Sequence, residues 1–583
     1  MLFSKLTEYF TQIESTTLRN EKTLILSQIL KDSDQDEVDK LIYLALGGLR
    51  PAFDRLEFQM ADKMILRALG KTEKEYQEVG DIGELAVKTS TKYKVQGTKL
   101  SVKDVYAALE KIASASGAGS QERKVAGLAK LISDVSSEDA KYIVRIVSGR
   151  LRLGFSDKTV IDAISYFENG TKDFSDELDS AYQRRPDVGV LAKMVKEMGV
   201  ANAIKKIDVV IGTPIVPALA QRLKTPVEMI EKMGKVIVEK KFDGTRVQIH
   251  FSRLLNQSTI KPLDQFGLFE EEKPKFFVRT FTRNLDESSE MFPELMQISD
   301  QVKANEVILD CEAVGYDPKT LKLVPFQLTI TRKRKHGIEE ASNAVPLRFF
   351  VFDIMYKDGQ SLIELPLHER RKVLAETIIG ENVLVVDDFI ETEDPDVLRE
   401  YHKTQLAAGL EGALVKQIDG QYMPGRTGFN WVKFKEAEDS RAKLADTIDA
   451  VIMGYYFGKG KRSDFALGAF LVGVKNGDKI VTLAKVGTGI SDLQFRELGM
   501  RLKKYKVQST KYNDFGYEVP KILEPDVWVE PKVIVEVAAD EITVSPTHSA
   551  GYALRFPRMV KFRDDKSAET ITTLEEVRTM FGI

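Results

Sequence analysis

Glu239, Lys241 and Asp243 stand two apart in "VIVEKKFDGTRVQIH", residues 236–250. Residues two apart in a strand share a face. Both acids therefore accompany Lys241, while Lys240 points the other way. Asp310 and Glu312 share a face in "ILDCEAV", as do Trp431, Lys433 and Lys435 in "NWVKFK". Attack on a nucleotide phosphate needs these residue types: a nucleophile, carboxylates for a divalent cation, and cations against the developing charge. A free lysine, with a pKa near 10.4, is mostly protonated at neutral pH. A neighbouring cation or metal favours the neutral amine that attacks. For any one of these strands alone, the polar side of a half-buried strand explains the alternation. Several such strands in one region point to a site.

The elements that carry these residues follow from periodicity. Asp243-Gly244 between two alternating runs predicts a β-hairpin with a tight turn, and Gly244 lets a ligand approach the backbone. Residues 1–208 read as helical. Val125, Leu128, Leu131, Ile132 and Val135 recur at helical spacing. Ser136 with Asp139 reads as an N-cap followed by an acidic first turn. Arg150 and Arg152 precede a helix start near Ser156, where free backbone N–H groups suit a phosphate; solvated arginines explain them equally. Pro214 and Pro217 mark an extended linker. Residues 209–440 alternate short apolar strands with helices, an α+β pattern. Residues 441–583 are dominated by strands, with a turn at Asn476-Gly477, and suggest a small closed barrel.

Composition narrows the class. The chain has 583 residues, 43% hydrophobic and 30% charged, as in a folded soluble protein of several domains. No apolar stretch has transmembrane length, and "MLFSKLTEYFTQIES" lacks the marks of a signal peptide. One cysteine, Cys311, excludes an internal disulfide framework and fits a reducing compartment. One Cys with five His argues against structural zinc. The net charge of −3 neither demands nor excludes a nucleic-acid partner, because local clustering decides phosphate binding.

"EKKFDGTR" carries the K-x-D-G-x-R signature of covalent nucleotidyltransferases: ATP-dependent DNA ligases, RNA ligases and mRNA capping enzymes. K-x-D-G alone is a weak signal; the ordered set is strong. "TRN" at 282–284, "LDCEAVGYD" at 309–317, "FVFDIMYKDG" at 350–359, "EGALVK" at 411–416, "NWVKFK" at 430–435 and "RFPRMVKFRDDK" at 555–566 resemble the later motifs in order. The N-terminal helical region resembles the DNA-binding domain of replicative ligases of the archaeal and eukaryotic ligase I type.

The resemblance implies three domains: a helical DNA-binding domain (1–208), an α+β adenylation domain (209–440) and a C-terminal OB-fold (441–583). It implies a lysine, Lys241, that becomes adenylated by ATP, and Glu239 as reader of the adenine amino group. Arg246 and Arg283 would contact the nucleotide. Glu312 would be a ribose- or metal-side carboxylate, Glu411 a metal ligand, and Phe352 the ring stacked on adenine. Lys433 and Lys435 would contact the α-phosphate. Arg555, Arg558, Arg563 and Lys566 would orient the pyrophosphate. Many relatives carry arginine where this chain has Thr427, so Arg426 stands one position early for a nucleotide contact. The implied metal is Mg²⁺, or Mn²⁺ in its place. The implied partner is nicked duplex DNA, bound by a monomer in the cytoplasm at the nucleoid, or in a nucleus. "VKTSTKYKVQGTKL" (87–100) fills the region where archaeal relatives place a clamp-binding box, without a clear box, so a sliding clamp stays an open partner. The basic run "TRKRKHG" (331–337) suits a DNA backbone or a solvated loop. The stretch of about 253–276 is longer than in relatives. An RNA ligase or capping enzyme, and a non-catalytic DNA-binding protein with a decayed site, are the competing readings. The long helical region disfavours the first, and retention of Lys241, Glu312, Glu411, Lys433 and Lys435 the second.

Overall fold

The computed structural model describes residues 1–90, 100–223, 225–254, 276–324, 329, 332, 342, 345–425, 428–434, 447–457, 467–487, 492–507, 512–539 and 541–581. Arg426, Lys435, most of the clamp-box region and most of the 253–276 stretch lie outside the described residues. The described chain forms two compact units, Met1–Glu436 and Ala437–Ile583.

The first unit opens with thirteen described α-helices, from α1 (Phe3–Ser15) to α13 (Val200–Lys206). Their apolar faces form one continuous core from Phe3 to Ile207. The capping chemistry is local. Ser136 Oγ accepts the Asp139 N–H at 3.1 Å and starts the helix Ser137–Val147, a cap worth about 1 kcal/mol. Arg150 pairs with Asp62 at 3.1 Å and Arg152 with Asp81 at 2.7 Å.

Two sheets follow. The first runs in the order β1 (Gln221–Arg222), β11 (Trp431–Phe434), β10 (Ala413–Gln417), β2 (Val236–Lys240), β9 (Phe389–Thr392). The second runs β4 (Phe277–Thr282), β3 (Thr245–Ser252), β5 (Glu306–Gly315), β6 (Leu347–Lys357), β7 (Gln360–Ser361), with β8 (Leu384–Val386) also on β6. One face of the first sheet packs Val236, Val238, Val415 and Val432 against α14 (Pro226–Met233) and α16 (Pro395–Ala407). The second sheet buries Val247, Leu309, Phe349 and Val351 in its own core. The opposite faces meet across a small cluster that includes Ile308, Phe352, Tyr422 and Trp431.

The expected hairpin at 236–250 is not formed. β2 and β3 belong to different sheets, and Lys241–Gly244 carries the chain from one to the other. Gly244 is needed for contact rather than for a hairpin turn: a Cβ there would lie 2.5 Å from the Ala313 carbonyl oxygen. Its φ is not positive, so it cannot be part of the type I′ turn that Asp-Gly usually signals.

The second unit is rich in strands. β12 (Ile448–Tyr456), β13 (Ala469–Asn476) and β14 (Lys479–Val486) form a meander, and a helix, Asp492–Lys504, follows. Strand Ile534–Ala538 pairs with both β12 and Arg558–Phe562. This is the strand order of an OB-fold barrel. Among the described residues no pairing joins Arg558–Phe562 to β14.

Candidate active site

Register sets which side chains face the gap between the two sheets of the first unit. Glu239 lies opposite Leu414, Leu414 opposite Lys433, and Lys416 opposite Trp431. These share one face. Lys240 is on the other side of β2 and pairs with Asp388. The ladder extends one step beyond β2. The Lys241 N–H donates to Gly412 O at 3.0 Å, and the Glu411 N–H donates to Lys241 O at 3.1 Å. This step fits because residue 412 is glycine, with φ 124° and no room for a Cβ beside Phe434 O. It brings the Lys241 ammonium into an ion pair with Glu411.

The second sheet contributes from across the gap. Arg246 lies opposite Glu312, and Gln248 opposite Asp310. Arg246 grips Asp310 with two bonds, Nε to Oδ1 at 2.9 Å and Nη2 to Oδ2 at 2.5 Å, and donates from Nη1 to Ala218 O at 2.5 Å. The Tyr422 hydroxyl donates to the same Asp310 at 2.7 Å. Burial works against the guanidinium charge, but Asp310 outweighs it and raises the Arg246 pKa further. Burial pushes the Glu312 carboxyl up to about 7, with Lys241 and Arg246 pulling it down and Asp310 and Glu411 adding to the rise.

Phe352 is buried, edge-on to Trp431 with ring centres 5.9 Å apart. Lys416 Nζ lies over both rings, at 4.5 and 4.3 Å. Lys433 is half-buried on the same face. Arg283 is exposed in the turn after β4, whose Thr282 pairs with Val247, next to Arg246. Thus Glu239, Lys241, Arg246, Glu312, Phe352, Glu411 and Lys433 gather around one cleft. The four basic residues near the C-terminus lie in the second unit. Arg555 and Arg558 are exposed. Arg563 donates to Asp449 at 2.7 Å, and Lys566 to the same carboxylate at 2.5 Å. Of the basic run 331–337 only Arg332 is among the described residues, and it departs from the expectation. It is buried, pairs with Glu294 at 2.9 Å and donates to the Val345 and Met291 carbonyls, so it anchors the fold and cannot reach a DNA backbone.

Among the described residues no three His, Cys, Asp or Glu side chains form a closed metal cage. Glu312 and Glu411 beside Lys241 still fit Mg²⁺, which is held by one or two carboxylates, waters and substrate phosphates. The raised Glu312 carboxyl is the response of an acidic group whose charge lacks a full counter-ion in a buried place.

The order of the strand motifs agrees with comparisons to known proteins. Family models match residues 2–165 as a DNA ligase N terminus, 272–435 as an ATP-dependent DNA ligase domain, and 463–566 as an ATP-dependent DNA ligase C-terminal region. A probable DNA ligase of Dictyoglomus thermophilum is 40% identical, covering 100% of this chain and 97% of the relative. The chain belongs to the ATP-dependent DNA ligases. A DNA ligase of Sulfolobus acidocaldarius is 34% identical over 100% of this chain and 98% of its own length. A solved structure called Pmar-Lig_PreS3 shares the fold, with TM-score 0.53 at 18% identity over 96% of this chain and 99% of its own. The ligase-domain match starts at residue 272, downstream of Lys241, and the full-length relatives span that gap. Sequence reasoning missed Lys416, Arg371 and Tyr422 as parts of the cleft. A lysine inside the apolar strand "ALVKQ" was a usable signal for Lys416; Tyr422 offered none.

Proposed function

We propose that this ligase seals nicks in duplex DNA through a covalent lysyl-AMP at Lys241. The observation that carries the proposal is the Lys241–Glu411 ion pair at the crossing between two sheets, with Glu312 and Arg246 facing it. Attack requires a free amine, so the Lys241–Glu411 pair must open first. Lys241 Nζ then forms a bond to the α-phosphorus of ATP, the bond to the β-phosphate oxygen breaks, pyrophosphate leaves and the nitrogen loses a proton. AMP passes to the 5′-phosphate at a nick, and attack by the 3′-hydroxyl releases it.

Glu312 and Glu411 are the residues that would hold Mg²⁺ or Mn²⁺. When bound, the metal supplies charge neutralisation at the reacting phosphates. Arg246, fixed by Asp310 and Tyr422, serves as a rigid nucleotide contact, with Arg283 at the rim. Phe352 offers a ring to the base, and Glu239 an acceptor to the adenine amino group. Lys433, together with Lys435, neutralises the α-phosphate, and Arg426 is a further nucleotide contact. Arg555, Arg558, Arg563 and Lys566 orient the pyrophosphate. The helical segment 1–208 and the strand-rich segment 441–583, which precede and follow the adenylation segment 209–440 in sequence, bind the DNA backbone, largely without sequence preference. The working form is a monomer in the cytoplasm or nucleus. No described helix is long and apolar enough to cross a membrane.

Incubation with α-labelled ATP and Mg²⁺, then a chase with nicked DNA, tests the scheme. Label is expected to attach to the protein and then leave on adding nicked duplex. The Lys241→Ala variant should take up none; a normal yield in that variant would falsify the assignment.

A further inference from the structure

Behind the cleft two buried cations, Lys416 and Arg371, flank Glu239, and the scheme above gives them no role. Glu239 is 1% exposed. Neither of its carboxylate oxygens has a hydrogen bond of proper geometry within the protein. Two cations flank it instead. Lys416 Nζ lies 2.5 Å from Oε2, and Arg371 Nη1 lies 3.5 Å from Oε1. The Lys416 ammonium therefore engages Oε2, while Oε1, with only the longer Arg371 contact, keeps a lone pair for a further donor. Both cations are themselves pinned. Lys416 is fully buried between the Phe352 and Trp431 rings and reaches Phe352 O at 3.4 Å. Arg371, on α15 (Leu367–Thr377), donates to Phe352 O at 3.1 Å and to the Asp387 carbonyl. Asp387 is also buried, and its Oδ1 has no hydrogen-bond partner.

A buried carboxylate that keeps free lone pairs beside a stacking ring is a reader of hydrogen-bond donors. Adenine presents an amino donor at position 6, and guanine presents a carbonyl acceptor there. An ionised carboxylate only accepts; a protonated one also donates and would tolerate guanine. We propose that Lys416 and Arg371 are positioning residues that fix base choice: by holding Glu239 as an acceptor-only carboxylate, they make the site take adenine and refuse guanine. This rests on Glu239 reading the base.

The neighbours agree with this division of charge. Burial, with Glu239 adding to it, pushes the Asp387 carboxyl well above the usual carboxylate range. Burial pushes the Lys416 ammonium down, while Glu239 and Asp353 oppose that shift. The two aromatic faces over Nζ also favour the charged amine. Removing either cation leaves a buried carboxylate under-compensated, and such a group takes up a proton.

The test compares adduct formation by the full chain from α-labelled ATP and from α-labelled GTP, each with Mg²⁺, as the ratio of kcat/KM values. Lys416→Met is expected to lower the ATP/GTP ratio by roughly tenfold or more. Arg371→Met should move it the same way, and Lys416→Arg should restore it. Should Lys416→Met fail to fold, Arg371→Met, which keeps Lys416, carries the test. An unchanged ratio in a folded cation-lacking variant overturns the proposal. Glu239→Gln separates the two levels, because its amide can donate to guanine. If that variant keeps the wild-type ratio, Glu239 does not read the base. If it shifts the ratio while Lys416→Met and Arg371→Met do not, base reading stands and the role of the cations falls.

Discussion

The cleft of the first unit and the basic row of the second both gather cations, but under opposite conditions. In the cleft, Arg246 is held by the buried Asp310, and the buried Lys416 and Arg371 together flank Glu239. In the second unit, Arg555 and Arg558 lie open to solvent, while the half-buried Arg563 and Lys566 share the buried Asp449. Buried ions are expensive and stay only where geometry compensates them, so the cleft is rigid and its charges are strongly coupled. Exposed ions are cheap, screened by salt and free to re-pair. The first arrangement suits fixing a nucleotide. The second suits contacts that form and break during a reaction cycle.

Breaking the buried side of this contrast should have the largest effect. Arg370 and Asp353 form a fully buried pair beneath the cleft, with bonds of 2.8 and 2.9 Å. Burial raises the Asp353 carboxyl, but Arg370 outweighs it and lowers the pKa overall. Arg370→Met should cost about 3–5 kcal/mol in denaturant unfolding of the first unit, because it strands a buried charge. A loss no larger than that of an exposed pair would deny that the cleft is compensated in this way.

A smaller effect is expected at His250. Burial, helped by Arg279, lowers its pKa to about 3. Nδ1 accepts the Gly212 N–H at 3.1 Å, and Nε2 faces Gln248 Oε1 at 2.9 Å, which fixes a neutral ring. A depressed folded-state pKa means stability is fully present above the unfolded value near 6.5 and falls away as pH drops toward 3. Down to pH 4 the loss is roughly 3–4 kcal/mol. Melting midpoints measured between pH 7 and 4 should fall less steeply for His250→Asn than for the wild type. Parallel curves would remove His250 from the account.

Next comes Glu411→Gln, which removes the partner of Lys241 and a candidate metal ligand. Adduct formation should drop on the order of 10²-fold, read with labelled ATP. Least affected should be Lys561, exposed on the strand Arg558–Phe562 and 3.3 Å from Glu536. Lys561→Ala should change the stability of the second unit by less than about 1 kcal/mol, and less still at high salt. A loss as large as that of Arg370→Met would erase the distinction between the two regions.

Much of this was legible in the sequence, for identifiable reasons. Period-two alternation separated Lys241 from Lys240, and pairing register puts Lys240 on the far side with Asp388. The helical spacing of Val125 to Ile132 and the Ser136 cap are local features that local rules capture, while Val135 falls past the helix end at Ser133. The hairpin failed because Asp-Gly signals a turn without saying which strands pair afterwards; that is settled by Ala313 crowding Gly244 and by the distant partners of β2 and β3. Arg332 misled because a basic run looks solvated, while Glu294, 38 residues earlier in sequence, draws one member inside. The contacts among Arg371, Asp387, Lys416 and Glu239 bridge four separate segments. No spacing rule reaches across such distances.

The central claim is that one of two adjacent lysines is the nucleophile, selected by the face of the strand it occupies. Digesting the adduct formed with ATP and Mg²⁺, then locating the AMP group by peptide mass spectrometry, tests this directly. AMP is expected on Lys241 alone. AMP on Lys240, or on a lysine outside the cleft, would contradict it.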